Sequence, residues 1–102
     1  MKTLELSETD LLGRWINVGE RVVGDDTCKR IEWLVSEKLQ KTATDASGWD
    51  TLYLDPVDGR YWELTYPNSG VHGGGPPRLT QLPAESAKSK YGTALATLGD
   101  SR

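Results

Sequence analysis

Residues 62–77 read Trp-Glu-Leu-Thr-Tyr-Pro-Asn-Ser-Gly-Val-His-Gly-Gly-Gly-Pro-Pro, and no other stretch restricts the chain's path as strongly. An alternating run of aromatic and β-favouring residues stops at Pro67. Beyond it lie the single histidine, His72, the triplet Gly73-Gly74-Gly75 and the pair Pro76-Pro77. Consecutive glycines release the backbone from side-chain sterics, whereas consecutive prolines fix φ and remove N–H donors. Neither a helix nor an interior strand passes through such a segment. It specifies a shaped loop between two extended elements, and loops held on a rigid scaffold often carry function.

The rest of the chain must build that scaffold from 102 residues, enough for one domain and one core. The core is expected to centre on tryptophan, because four Trp and four Tyr accompany no Phe. Residues 28–40 give the clearest element, an amphipathic helix with Cys28, Ile31, Leu34, Val35 and Leu39 on one face. Asp26 or Thr27 is placed to cap it. Trp33 falls off the stripe, as either a boundary residue or an exposed contact.

Before that helix, Ser7–Leu12 predicts a short capped turn. Arg14–Val18 and Glu20–Val23 predict a hairpin with Trp15 as its main buried residue. After it, Lys41–Thr44 is a candidate strand. Trp49–Leu54 and Arg60–Tyr66 form a second hairpin around Asp55-Pro56-Val57-Asp58-Gly59. Trp62, Leu64 and Tyr66 share its core face, which puts Glu63 on the outer face between Tyr61 and Thr65. Arg78–Leu82 is a last strand, Pro83 opens a short C-terminal helix over 84–91, and Tyr91-Gly92 ends it. The expected architecture is α+β: a small antiparallel sheet of hairpins packed on one main helix, in a domain spanning 1–91 with a weakly ordered tail over 92–102.

Composition excludes several functions. Net charge is −3, against general nucleic-acid binding, which needs a basic footprint. The charge is uneven: residues 20–63 hold ten acidic and six basic side chains, residues 64–102 two and four. One cysteine, Cys28, forms no intramolecular disulfide, which points to the cytoplasm. The first residues lack the apolar core of a signal peptide, and no window approaches a membrane span.

The chemical motifs are incomplete. His72-Gly-Gly-Gly resembles an esterase oxyanion segment, but the chain has no G-x-S-x-G elbow and no second histidine. The glycines lead into prolines rather than a Gly-Lys-Ser/Thr phosphate loop. One Cys and one His do not make a zinc site, so no metal or cofactor is expected. Asp55, Asp58 and Glu63 near one hairpin leave a carboxylate hydrolase open as an alternative, although aspartate is ordinary in such a turn. A protein-binding surface fits better, since Tyr and Trp are enriched at binding hot spots. The candidate contacts are Trp62, Glu63, Tyr66, His72, Gly73, Gly74, Gly75 and Pro76, with Asp25, Asp26, Asp55 and Asp58 supplying negative charge.

The runs Asp26-Thr-Cys-Lys-Arg-Ile-Glu-Trp-Leu, Ser47-Gly-Trp-Asp-Thr-Leu-Tyr, Asp55-Pro-Val-Asp-Gly-Arg-Tyr-Trp-Glu-Leu-Thr-Tyr-Pro and His72-Gly-Gly-Gly-Pro-Pro resemble the immunity protein 27 family. The resemblance extends from Leu11 to Tyr91 and is most specific over Trp62–Pro77. It implies a small, non-catalytic bacterial antitoxin that binds a cognate toxin domain delivered by neighbouring cells. Many such toxins are nucleases with basic clefts, which the acidic first half would suit. The resemblance assigns no binding residues, so the candidate contacts rest on chemistry alone.

Overall fold

The computed structural model describes residues 1–67 and 75–100, and only the backbone from 93 onward. In chain order the elements are β1 (Asp10–Leu12), β2 (Trp15–Val18), β3 (Arg21–Gly24), α1 (Asp26–Trp33) with a π-helical turn (Leu34–Lys38), β4 (Gln40–Thr44), β5 (Thr51–Leu54), β6 (Tyr61–Thr65), β7 (Arg78–Leu82) and α2 (Ala84–Asp100). The fold is α+β, as the sequence patterning predicts.

Five strands form an antiparallel sheet in the order β1-β7-β6-β5-β4, and β2-β3 stands apart as a two-stranded ribbon. Cross-strand partners share a face, so the register sorts the side chains. Tyr53 faces Trp62, Leu64 faces Leu79, and Leu79 faces Leu11. These five join Ile31, Leu34 and Leu39 in one core cluster, which places α1 over this face. On the other face Leu52 and Ala43 pack against Ala87 and Tyr91 of α2, with Tyr61 and Leu82 at the margin. The sheet is therefore sandwiched between two helices.

The π turn explains how Leu34 and Leu39 both reach the core. Leu39 N–H donates to Leu34 C=O at 2.8 Å, five residues back. The chain then turns extended at Leu39 and enters β4. Trp33 is half-buried against the core, as expected of an edge residue.

The structure departs from the sequence reading at several points. Ser7–Leu12 is not a capped turn. Asp10–Leu12 is a strand, fixed by pairing Asp10 with Thr80 and Leu12 with Arg78, contacts that no local pattern encodes. The hairpin over 15–24 forms, with Gly19 at φ +64 in its two-residue turn, the placement that suits a strand-matched twist. Yet Trp15 is 47% exposed rather than buried. The helix cap is Asp25, one residue ahead of the expected position. Finally, α2 passes through Tyr91 and Gly92 to Asp100. The residues after Gly92 include Ala94, Leu95, Ala96 and Leu98, strong helix formers that offset a glycine cost of about 1 kcal/mol.

Two arginines strap the N-terminal segment onto the α1 side. Arg30 holds Glu8 through its two terminal guanidinium nitrogens at 2.7 Å and donates to Lys2 and Thr3 C=O. Arg60 donates to the carbonyls of Glu5 and Glu8. Its guanidinium lies 4.9 Å from the centre of the Trp62 ring.

Candidate functional site

The acidic candidates serve the backbone first. Asp25 accepts the Cys28 N–H at 2.9 Å and so caps α1. Burial opposes its charge, but the Cys28 and Arg14 bonds outweigh it and keep the carboxyl below its usual range. Asp26, beside it, is exposed. Asp55 is 7% exposed and accepts the Val57 N–H at 2.9 Å inside the β5–β6 turn, where Gly59 takes φ +77. Asp58 accepts the Arg60 N–H at 3.0 Å and pairs with Arg60 Nε at 2.7 Å. Partial burial resists ionisation there, and Arg60 prevails, so the Asp58 carboxyl is also lowered. The two aspartate pairs are not brought together. Asp25 and Asp26 begin α1, whereas Asp55 and Asp58 line a cleft with Lys38 at its far end, on the order of 15–20 Å of helix rise away.

The aromatic strand is mostly internal. Trp62 is fully buried, out of a partner's reach, and its Nε1–H has no hydrogen-bond partner among the described residues. Glu63 does lie on the face opposite Trp62, but α2 covers that face. It accepts a hydrogen bond from Tyr91 Oη at 2.7 Å and pairs with Lys90 Nζ at 2.6 Å, so it is no open outer-face residue. Tyr66 is half-buried against the α1-side core. Gly75 is buried and Pro76 half-buried. His72, Gly73 and Gly74 lie outside the described residues.

Cys28 is a packing residue in this arrangement. Its thiol donates to Arg14 C=O at 3.5 Å, and burial together with the nearby Asp25 carboxylate pushes it above the usual thiol range. It lies against Gly13 and Gly24, so it joins α1 to the β2-β3 ribbon. Among the described residues no group of three or more His, Cys, Asp or Glu is placed to hold a metal ion. No helix among them is long and apolar enough to cross a membrane.

Two surface features stand out. One is the cleft of about 390 Å³ between the N-terminal segment and the end of the π turn, lined by Leu4, Leu6, Leu34, Leu39, Val57 and the groups named above. The other is the ribbon. All four β2 residues are exposed, and Trp15, Ile16, Val18 and Val22 are each at least 43% exposed. Sequence reasoning missed this because alternation suggests one buried face. The available signal was that apolar residues occupy both alternating sets, Trp15 and Val22 on one face, Ile16, Val18 and Val23 on the other. A two-stranded ribbon has no means of burying both.

Comparison with curated proteins gives no match, and comparison with solved structures gives none. A protein-family model, Immunity protein 27, matches residues 17–83. The matched span runs from β2 through β7 and contains α1, four strands of the main sheet and the β5–β6 turn. That span holds all four runs on which the resemblance rests, and the chain belongs to the immunity protein 27 family.

Proposed function

We propose that this chain is a bacterial immunity protein that binds the toxic domain of a cognate polymorphic toxin in the cytoplasm and blocks it by occupancy, without catalysis. The family match over residues 17–83 carries the reading. The engagement of Asp55, Asp58 and Glu63 in turn, ion-pair and helix-docking contacts supports it against a carboxylate hydrolase.

The carboxylates available to a partner differ from those expected at the second hairpin. Glu20 at the ribbon turn and Asp26, Glu32 and Glu37 along α1 are exposed. These exposed carboxylates, with exposed Lys29 and Lys38 among them, can meet a basic surface, where opposite charge mainly speeds association and excludes wrong partners. A nuclease domain with a basic cleft is the toxin class that fits. Co-expression with the toxin domain encoded beside this gene tests the reading: rescued growth and co-purification are expected. Continued toxicity with no complex, while the immunity protein remains folded and abundant, would sink it.

A further inference from the structure

Asp55 serves the β5–β6 turn with one oxygen only. Its Oδ1 accepts the Val57 N–H at 2.9 Å, while among the described residues Oδ2 receives no hydrogen bond and the carboxylate forms no ion pair. The residue is 7% exposed, and a buried charge without a partner is costly. The turn does not require that charge, because asparagine offers the same acceptor oxygen and suits such turns equally. Oδ2 is not sealed off either: Trp62 Nε1 is the one side-chain polar atom among the described residues that is both fully buried and without a partner. Asp55 lines the cleft of about 390 Å³ beside the N-terminal segment, and Oδ2 is the atom left to meet whatever enters it.

The rest of the cleft has a definite chemistry. Leu4, Leu6, Leu34, Leu39 and Val57 make it an apolar trough. The other charges on its wall are already engaged. Asp58 pairs with Arg60 Nε at 2.7 Å, and the Lys38 ammonium lies 5.4 Å from the centre of the Trp33 ring. An apolar trough that ends on one unpaired carboxylate oxygen matches a long alkyl chain with a positive head. The volume is at the low end of the roughly 300–1,000 Å³ of ordinary ligand pockets, room for one long side chain. A single offered oxygen suits the point charge of a lysine better than the two-pronged guanidinium of an arginine.

We infer that this cleft is the docking site for a lysine side chain of the partner, its methylenes along the leucines and its ammonium donating to Asp55 Oδ2. The inference rests on the reading that the partner is a toxin domain, and it adds a specific site. Exposed carboxylates along α1 favour encounter with a basic surface. Asp55 instead fixes one lysine where water is largely excluded, and a pair of that kind acts on dissociation and on the choice of partner.

n-Butylammonium, which is a lysine side chain without its backbone, tests the cleft itself. Titrated into the full chain, it is expected to shift the amide resonances of Leu39 and Val57 saturably, with a Kd of about 10–50 mM for so small a ligand. Neutral n-butanol is expected to bind at least about fivefold more weakly, and Asp55→Asn to remove the preference. The same variant is expected to weaken binding of the toxin domain encoded beside this gene about tenfold or more. Asp45→Asn, the same exchange in the β4–β5 turn at the other end of β5, is expected to change that affinity less than about threefold. Both asparagines keep a backbone acceptor, and melting temperatures check that the variants stay folded. Should Asp55→Asn fail to fold, the wild-type preference for butylammonium over butanol decides alone. Equal binding of the two would overturn the proposal. So would a toxin affinity indifferent to Asp55→Asn in a folded protein. If wild type forms no toxin complex, the toxin reading fails, and the cleft's choice of an alkyl cation still stands or falls on the butylammonium titration.

Discussion

Tyr91 of α2 donates its phenolic hydrogen to the Glu63 carboxylate of β6 at 2.7 Å, under a helix that buries Tyr91 to 2% exposure. Lys90 completes the contact by pairing with both Glu63 and Asp50 at 2.6 Å. This cluster docks α2 on the sheet. Burial and the adjacent Glu63 and Asp50 carboxylates push the Tyr91 hydroxyl far above its ordinary range, which keeps its proton on as a donor. Tyr91→Phe keeps the ring and removes the donor. It is expected to cost about 1.5–3 kcal/mol, the usual value for a hydrogen bond to a charged group. Urea titration measures it, and a change under about 0.5 kcal/mol would show that Lys90 alone satisfies Glu63.

A second prediction concerns the joint between the ribbon and α1. A Cβ on Gly13 would fall 2.5 Å from Cys28 Sγ and 2.8 Å from Pro77 O. Gly13→Ala is therefore expected to destabilise by about 1–3 kcal/mol through overpacking. Removing the sulfur with Cys28→Ala relieves only the first contact, so the double variant should remain less stable than Cys28→Ala alone. Equal melting temperatures for those two proteins would show that the Pro77 carbonyl moves aside freely.

A third follows from the N-terminal strap. The bidentate bond from Arg30 holds the Glu8 carboxyl at about 2, below its ordinary 4.5, against the opposing effect of burial. A carboxyl lowered in the folded state stabilises the fold above the unfolded value and loses that contribution as pH falls through the folded one. The Glu8 contribution is thus expected intact above about pH 5 and to fade between about pH 4.5 and 2. Glu8→Gln should flatten this part of the stability–pH curve. An unchanged slope in the variant would assign the acid sensitivity to other carboxylates, with Asp10 beside Arg78 the first to examine.

What the sequence made legible was local. Cys28, Ile31 and Leu34 announce α1 by spacing, and the alternation around Trp62 announces β6 and its core face. The β5–β6 turn follows from the chemistry of Asp55, Asp58 and Gly59. What stayed hidden was set by distant partners. Ser7, Thr9 and Asp10 resemble a helix cap until β7 takes Asp10–Leu12 into the sheet. Glu63 reads as solvent-facing until Tyr91 arrives over it. Trp15 reads as core when alternation is taken to mean one buried face, although apolar residues in both alternating sets of 15–23 signal a ribbon that cannot bury both.

The strand order also bears on how the molecule is made. β1 and β7 are neighbours in space but stand at residues 10–12 and 78–82. At roughly 5–20 residues per second, several seconds of synthesis separate the emergence of the two from a ribosome. In the last part of that interval, once β6 has emerged, it has an open edge, and the site that Leu79 fills between Leu11 and Leu64 is empty. A nascent chain that has passed β6 at Thr65 but not β7 at Leu82 has both the hydrophobic slot and the unpaired edge, the combination that draws chaperones and strand-swapped companions. The five-stranded sheet is complete only once this last strand has been translated.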